Sequence, residues 1–349
     1  MECKEIIGLL EKIAPPCYAS GWDNCGLLVG RDNKDIKKIM VALDCTDNVI
    51  NQAIKNGVDM LITHHPLIFS PIKSVNYNDF VGRRIYKLAV NDISYYAAHT
   101  NMDAGVMADE AAKMLDMVNT KPLEITYEKK MYKVVVFVPE QYAQKLCEAM
   151  VREGASPFMG SINQISSARD IRIESSVSQE NLDKVIRTIV KNHPYEDVDY
   201  DVYEISNSPL TKGIGKVGYL DYEMKLSELA RLVKDRFELD YVLLTGDEDM
   251  SVVRAAISPG AGKSMIKHAV KAGVNVLITG DIDHHSALDA YEQGLSIIDA
   301  GHFGTEHFVV DYIRDYLYNA TRDKRNDIFS DADGIEIIKA VEKAPFKVL

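Results

Sequence analysis

The sequence predicts an α/β fold made of two related halves, with a smaller α+β segment inserted between them. Two observations carry the repeat. The stretch KKIMVALDCTDNVINQAIKNGVDMLIT, residues 37–63, returns in altered form as SVVRAAISPGAGKSMIKHAVKAGVNVLIT, residues 251–279, with Val41 on Ile257 and Val58 on Val274 at the same offset of 216. Each copy reads as an apolar strand, a turn, a helix with matching apolar positions, a Gly-Val pair and a second apolar strand. That is a β-α-β unit used twice.

The elements follow in order. MECKEIIGLLEKIAPP, residues 1–16, spaces apolar residues among charges as an amphipathic helix does, and lacks the unbroken apolar core of a signal peptide. GWDNCGLLVG, residues 21–30, sets the only tryptophan, Trp22, beside Asp23 and Asn24 between glycines. Two readings stand there: a core tryptophan, or a shaped loop in which Trp22, Asp23 and Asn24 line a cleft and touch substrate. Further on, an apolar strand ends in ITHHPLIF, residues 62–69. Neighbouring side chains of a continuing strand point to opposite faces, so His64 and His65 can share a site only where the chain leaves the sheet. Pro66 forces that departure, because it has no N–H for the ladder and holds His65 extended.

Each half then places an imidazole and a carboxylate after an apolar strand. AAHTNMDA sets His99 four residues before Asp103, and AGHFGTEH sets His302 four residues before Glu306. On a helix or tight turn, positions four apart share a face and can reach one point; capping or turn roles are the alternative. Ligands of open α/β sheets gather beyond the carboxyl ends of the strands. His64, His65, His99, Asp103, His302 and Glu306 all follow such ends and are expected to share a cleft between the halves. They exceed what one tetrahedral zinc needs, and mixed nitrogen and oxygen ligation suits two metal ions about 4 Å apart.

The inserted segment reads YKVVVFV, EQYAQKLCEAMVRE, DIRIESSV, SQENLDKVIRTIVKN and VDYDVYEI as strand, helix, strand, helix, strand. That order predicts a ferredoxin-like domain, and the expected division is 1–127, 128–207 and 208–349. His193, Tyr195 and Glu196 lead into its last strand and read as structure. In TGDIDHHSALDA, His284 and His285 are expected to open a helix, with His285 facing the cavity.

Composition narrows the classes. Apolar content of 46% and charged content of 26% suit an ordinary globular protein. The formal charge of −12, without a Lys/Arg cluster, argues against nucleic acid as a partner. No run of about eighteen apolar residues predicts a membrane span. Cys3, Cys17, Cys25, Cys45 and Cys147 form an odd set without CxxC spacing, which suits reduced thiols and a cytoplasmic location.

GWDNCGLLVG, ITHHPLIF, AAHTNMDAG, HPYEDVDYDVYEI, TGDIDHHSALDA and GHFGTEHF resemble, in order and over nearly the whole chain, the Nif-three-like family of GTP cyclohydrolase I type II homologues. The resemblance implies two related α/β domains facing across a dinuclear metal cleft and a toroidal homohexamer. It also implies a PII- or CutA-like inserted domain, from which a stretch found in longer members is missing here. By motif, the implied ligands of two divalent ions are His64, His65, Asp103, His302 and Glu306. His99 then orients a ligand, a water or the substrate, and Asp44, ending the strand MVALD, is expected close by as a proton acceptor. Nitrogen and oxygen donors suit iron, zinc or manganese.

The predicted function is metal-dependent hydrolysis of a nucleotide-like or related small metabolite. The alternative is a metal-binding scaffold or regulatory adaptor without turnover. No Walker-type glycine loop writes nucleotide specificity into the chain.

Overall fold

The computed structural model describes residues 1–158, 170–206, 210–323 and 334–347. The chain divides into two compact units, Met1–Thr126 with Lys212–Leu349, and Tyr127–Thr211. The larger unit opens with strands β1 (Gly26–Val29), β2 (Lys38–Ala42), β3 (Met60–Thr63) and β4 (Ser94–Ala97). After β5 (Val118–Glu128), the smaller unit contains β6 (Met131–Pro139), β7 (Ser156–Phe158), β8 (Asp170–Ser178) and β9 (Tyr200–Ile205). The chain then runs through β10 (Thr211–Lys225), β11 (Leu243–Thr245), β12 (Ser251–Ala261), β13 (Val276–Gly280), β14 (Ser296–Asp299) and β15 (Glu336–Lys339).

The sequence repeat is a repeat of sheet topology. One sheet has the order β1-β4-β3-β2-β15 and the other β11-β14-β13-β12-β10-β5. The first has four consecutive parallel strands, β4-β3-β2-β15, and the second three, β14-β13-β12; in each a short antiparallel strand guards one edge, β1 on β4 and β11 on β14. Register follows the sequence offset: Val41 pairs with Ile62, and Ile257 with Ile278. The crossover helices form where predicted. Thr46 caps Asp47–Lys55 by accepting from Val49 N, and Gly273, with positive φ, closes Ile266–Ala272.

Both faces of the first sheet are covered, which explains why its central strands are apolar throughout. Ile39, Val41 and Ile62 pack with Ile6 and Leu10 of the helix Cys3–Ile13 and with Ile313 and Leu317 of the helix Phe308–Asp323. Met40 and Leu61 face Val49 and Ile50 on the other side. Helix Phe308–Asp323 and β15 both belong to the segment 208–349, so that segment contributes to both sheets. Among the described residues no helix is long and apolar enough to cross a membrane.

In the smaller unit the four strands are antiparallel in the order β7-β8-β6-β9, and the helices Glu140–Arg152 and Gln179–Asn192 share its core. The short strand β7 is an element that the sequence pattern did not reveal: SPF is only three residues long and carries no alternation. His193 bonds the Phe137 carbonyl through Nε2, a contact within this unit.

Candidate metal centre

The turn at the end of β3 places the first two imidazoles. His64 and His65 continue the ladder with β2, their N–H groups donating to the carbonyls of Ala42 and Leu43 at 3.3 and 2.9 Å, before Pro66 takes the chain out of the sheet. A buried hydroxyl pair holds that departure: Thr63 Oγ1 donates to the His65 carbonyl at 2.7 Å, and Tyr95 Oη accepts from Leu67 N at 2.8 Å. The two rings end with centroids 4.9 Å apart.

Four imidazoles converge, and each is fixed from behind through Nδ1. His64 bonds the Ala98 carbonyl at 2.7 Å, His65 the Asp44 carboxylate at 2.9 Å, His99 Asp23 at 2.8 Å and His302 Asp281 at 2.7 Å. An outward-donating Nδ1 selects the tautomer that turns the Nε2 lone pair inward. There His65 Nε2 and His302 Nε2 lie 3.2 Å apart. Glu306 Oε2 is 2.9 Å from the first and 3.1 Å from the second, while Glu306 Oε1 and Asp103 Oδ1 lie 3.7 and 3.4 Å from His64 Nε2. His302 and Glu306 come from one short helix, His302–Glu306, as their four-residue spacing requires.

Whether these donors fit a metal can be tested on the buried atoms themselves. His64 Nε2 is buried and, among the described residues, has no hydrogen-bond partner; Glu306 Oε2, equally buried, meets only the ring nitrogens of His65 and His302. Leaving such atoms unsatisfied is costly, whereas a cation beside them removes the cost. Three overlapping sets have ligand atoms within 4.8 Å of one another: His64, His65 and His99; His65, His302 and Glu306; His64, Asp103 and Glu306. The cluster can therefore hold a metal ion. Gly260 leaves room for it, because a Cβ there would run into Glu306 Oε1.

The charges respond to this crowding. Burial works against a charge on His65, but Asp44 and Glu306 outweigh it and raise the pKa to about 10. Glu306 raises His302 to about 9. Burial would raise Glu306, yet the surrounding imidazoles hold it well below the usual carboxylate range, while burial beside Glu306 pushes Asp103 up. Opposed shifts of this kind, at groups lining a cleft, mark functional sites. The cleft is a cavity of about 1030 Å³ with His65, His99 and His302 on its floor and Phe69, Tyr241 and Phe346 in its walls.

The Duf34/NIF3 (NGG1p interacting factor 3) family model matches residues 1–333. This chain belongs to the Duf34/NIF3 family. A Bacillus subtilis relative named GTP cyclohydrolase 1 type 2 homolog is 36% identical over 327 residues, covering 86% of this chain and 88% of its own. A crystal structure of a Bacillus cereus protein related to NIF3 superposes with a TM-score of 0.84 at 34% identity, covering 100% of this chain and 99% of that one. Staphylococcus aureus protein SA1388 superposes with a TM-score of 0.88 at 28% identity and the same coverage.

In this Duf34/NIF3 chain, His64, His65, Asp103, His302 and Glu306 come together as one cluster, and His99 joins them within ligand distance. Asp44 sits behind His65 and also borders the cavity. The GWDN loop divides its residues. The Asp23 side chain is fully buried and takes hydrogen bonds from His99, Thr100 and Cys25. Burial pushes its pKa up, but these donors prevail and hold it well below the usual range. Asn24 Nδ2 donates to the Ile68 carbonyl at 2.6 Å. Trp22 stays 62% exposed, its ring 5.7 Å from Phe69 and 6.1 Å from His99. His284 and His285 open the helix His284–Glu292 and are exposed, outside both the cluster and the cavity walls. In TGDIDHH the group behind His302 is Asp281, three residues before His284, and no local spacing links it to His302.

Proposed function

We propose that the protein is a metal-dependent hydrolase that holds two divalent ions and acts on a nucleotide-like or related small metabolite. The single observation that carries this reading is the convergence of four Nδ1-anchored imidazoles with Glu306. The two oxygens of Glu306 face different donors, His64 on one side and His65 with His302 on the other. Two ions would be held by His64 and Asp103 on one side and by His65 and His302 on the other, with Glu306 within reach of both sets. When bound, such ions polarise a scissile bond and bring the pKa of water toward neutrality.

The chain's own residues supply the rest. His99, held by Asp23, faces the cavity and can orient substrate or exchange a proton at Nε2. Asp44 keeps His65 in register and is the carboxylate placed to accept a proton at the cavity edge. Trp22 and Phe69 offer apolar surface to a planar substrate. The relatives' name makes a guanine nucleotide one candidate; a phosphoester is another. The wider reading includes a ferredoxin-like inserted domain, assembly as a toroidal homohexamer and a cytoplasmic location.

The deciding experiment is metal content per chain by plasma mass spectrometry, on protein purified without chelator or affinity-column metal, beside a His64→Ala/Glu306→Ala double variant. The expected result is about two ions per chain, lost in the variant, followed by hydrolysis of a screened metabolite that Asp103→Ala abolishes. Metal uptake without any turnover would favour the scaffold instead, and absence of uptake after anaerobic loading with iron, zinc or manganese would sink the proposal.

A further inference from the structure

Residues 334–347 lie beyond the last position matched by the family model, yet they reach the back of the metal cluster. β15 pairs in parallel with β2, Ile338 opposite Met40 and Lys339 opposite Val41. One more ladder bond follows, from Ala340 N to the Val41 carbonyl at 2.9 Å. Gln52 then grips the next residue from both sides: its Nε2 donates to the Val341 carbonyl and its Oε1 accepts from Val341 N, each at 2.9 Å. This fixes the direction in which the following side chain can point.

That side chain is Glu342. Its two carboxylate oxygens accept from Leu43 N at 2.6 Å and from Asp44 N at 3.0 Å. These are the two amides just past the end of β2, where a backbone ladder would otherwise have to continue. A carboxylate with two oxygens suits two adjacent N–H donors, and charge-assisted bonds of this kind are among the stronger ones.

Both residues so held are the anchors of His65. The Leu43 carbonyl accepts from His65 N at 2.9 Å, and the Asp44 carboxylate accepts from His65 Nδ1 at 2.9 Å. We infer that Glu342 is a positioning residue for the metal centre, setting the place of the His65 imidazole through Leu43 and Asp44. The inference rests on the metal-centre reading above. Glu342 touches no ligand atom itself, so its effect runs through the two anchors, and it falls on the position shared by His65 and His302 rather than on the one built from His64 and Asp103.

The test compares wild type, Glu342→Gln and Glu342→Ala in the full chain. Cobalt(II) is titrated in while the visible spectrum is followed, and amide hydrogen exchange at Leu43, Asp44 and His65 is measured on metal-free protein beside a thermal melt. The expected result is graded. Exchange at 43 and 44 rises from wild type to Gln to Ala, since a glutamine amide offers a single acceptor oxygen to two donors. Cobalt affinity at one of two positions falls by about 10- to 100-fold, the usual effect of losing an outer partner, while the other position stays near wild type; the melting temperature falls in Glu342→Ala, where two amides lose their acceptor.

Unchanged exchange and an unchanged cobalt spectrum in Glu342→Ala would overturn the inference. Equal weakening at both positions with a matching drop in melting temperature would also overturn it, leaving Glu342 as general support of the fold. If wild type takes up no cobalt while Glu342→Ala still speeds exchange at 43 and 44, the metal reading itself fails; the anchoring contacts are then real but serve no metal.

Discussion

Nε2 of His65 and Nε2 of His302, 237 positions apart in the chain, lie 3.2 Å from each other, and both approach the same oxygen of Glu306. In the metal-free protein this arrangement favours protonated rings, with pKa values raised to about 10 and about 9. A raised folded-state pKa stabilises the fold fully below the unfolded value of about 6.5, and that stabilisation fades as pH rises through 9 and 10. Metal binding needs the same nitrogens unprotonated. Uptake at pH 7 is therefore expected to release protons and to strengthen as pH rises. Calorimetry in buffers of different ionisation enthalpy measures the release, and a buffer-independent heat would contradict it.

Asp281 tests how far the outer partners matter. Asp281→Asn keeps the shape and tolerates the positive φ at this position, but weakens the hold on His302 Nδ1. Metal affinity is expected to fall about 10- to 100-fold, with stability within about 0.5 kcal/mol of wild type because the residue is exposed. Metal titration and a melt on the same sample read both.

Gly260 combines a φ of +75° with a position against Glu306. Gly260→Ala is expected to cost about 1–3 kcal/mol through backbone strain and to displace the Glu306 carboxylate, so that metal uptake is lost while the far-ultraviolet circular dichroism remains. Full metal occupancy in this variant would show that the glutamate can move aside.

Tyr95 is buried, and its hydroxyl takes Leu67 N. Tyr95→Phe leaves that amide without its partner, at an expected cost of about 1–3 kcal/mol, measured by urea unfolding. The loss is expected to loosen the 64–67 turn as well, visible as faster amide exchange at Leu67.

Asp23 gives the acid side of the pH profile. Its folded pKa is depressed, so its contribution is present above the unfolded value of about 3.9 and is lost as pH falls through the folded one. Asp23→Asn is expected to be less stable than wild type at neutral pH, with the difference closing below about pH 4. A gap that persists unchanged into strong acid would remove the ionised carboxylate as its cause.

The sequence made the centre legible wherever its signal was local. A 216-residue offset places Val41 opposite Ile62 and Ile257 opposite Ile278, and the four-residue spacing of His302 and Glu306 is fulfilled by one short helix. What stayed hidden was the support. Glu342 meets Leu43 across 299 positions, and Asp23 meets His99 across 76. No spacing rule links such pairs, since they meet only once the strands of the first sheet have paired. Asp23 illustrates the limit: a polar residue in a glycine-bracketed loop reads as open to substrate, yet it is turned inward because the donors around it outweigh its desolvation.

The 237-position gap between His65 and His302 also has a meaning in time. At about 5–20 residues per second, a ribosome needs roughly 10 to 50 s to deliver the second imidazole after the first. During that interval the nascent chain carries His64, His65, His99 and Asp103 without His302 and Glu306. The carboxylate that unites the two halves comes late, and Glu342 later still. On the metal-centre reading, an ion captured early would meet a smaller set of ligands than the completed cluster offers.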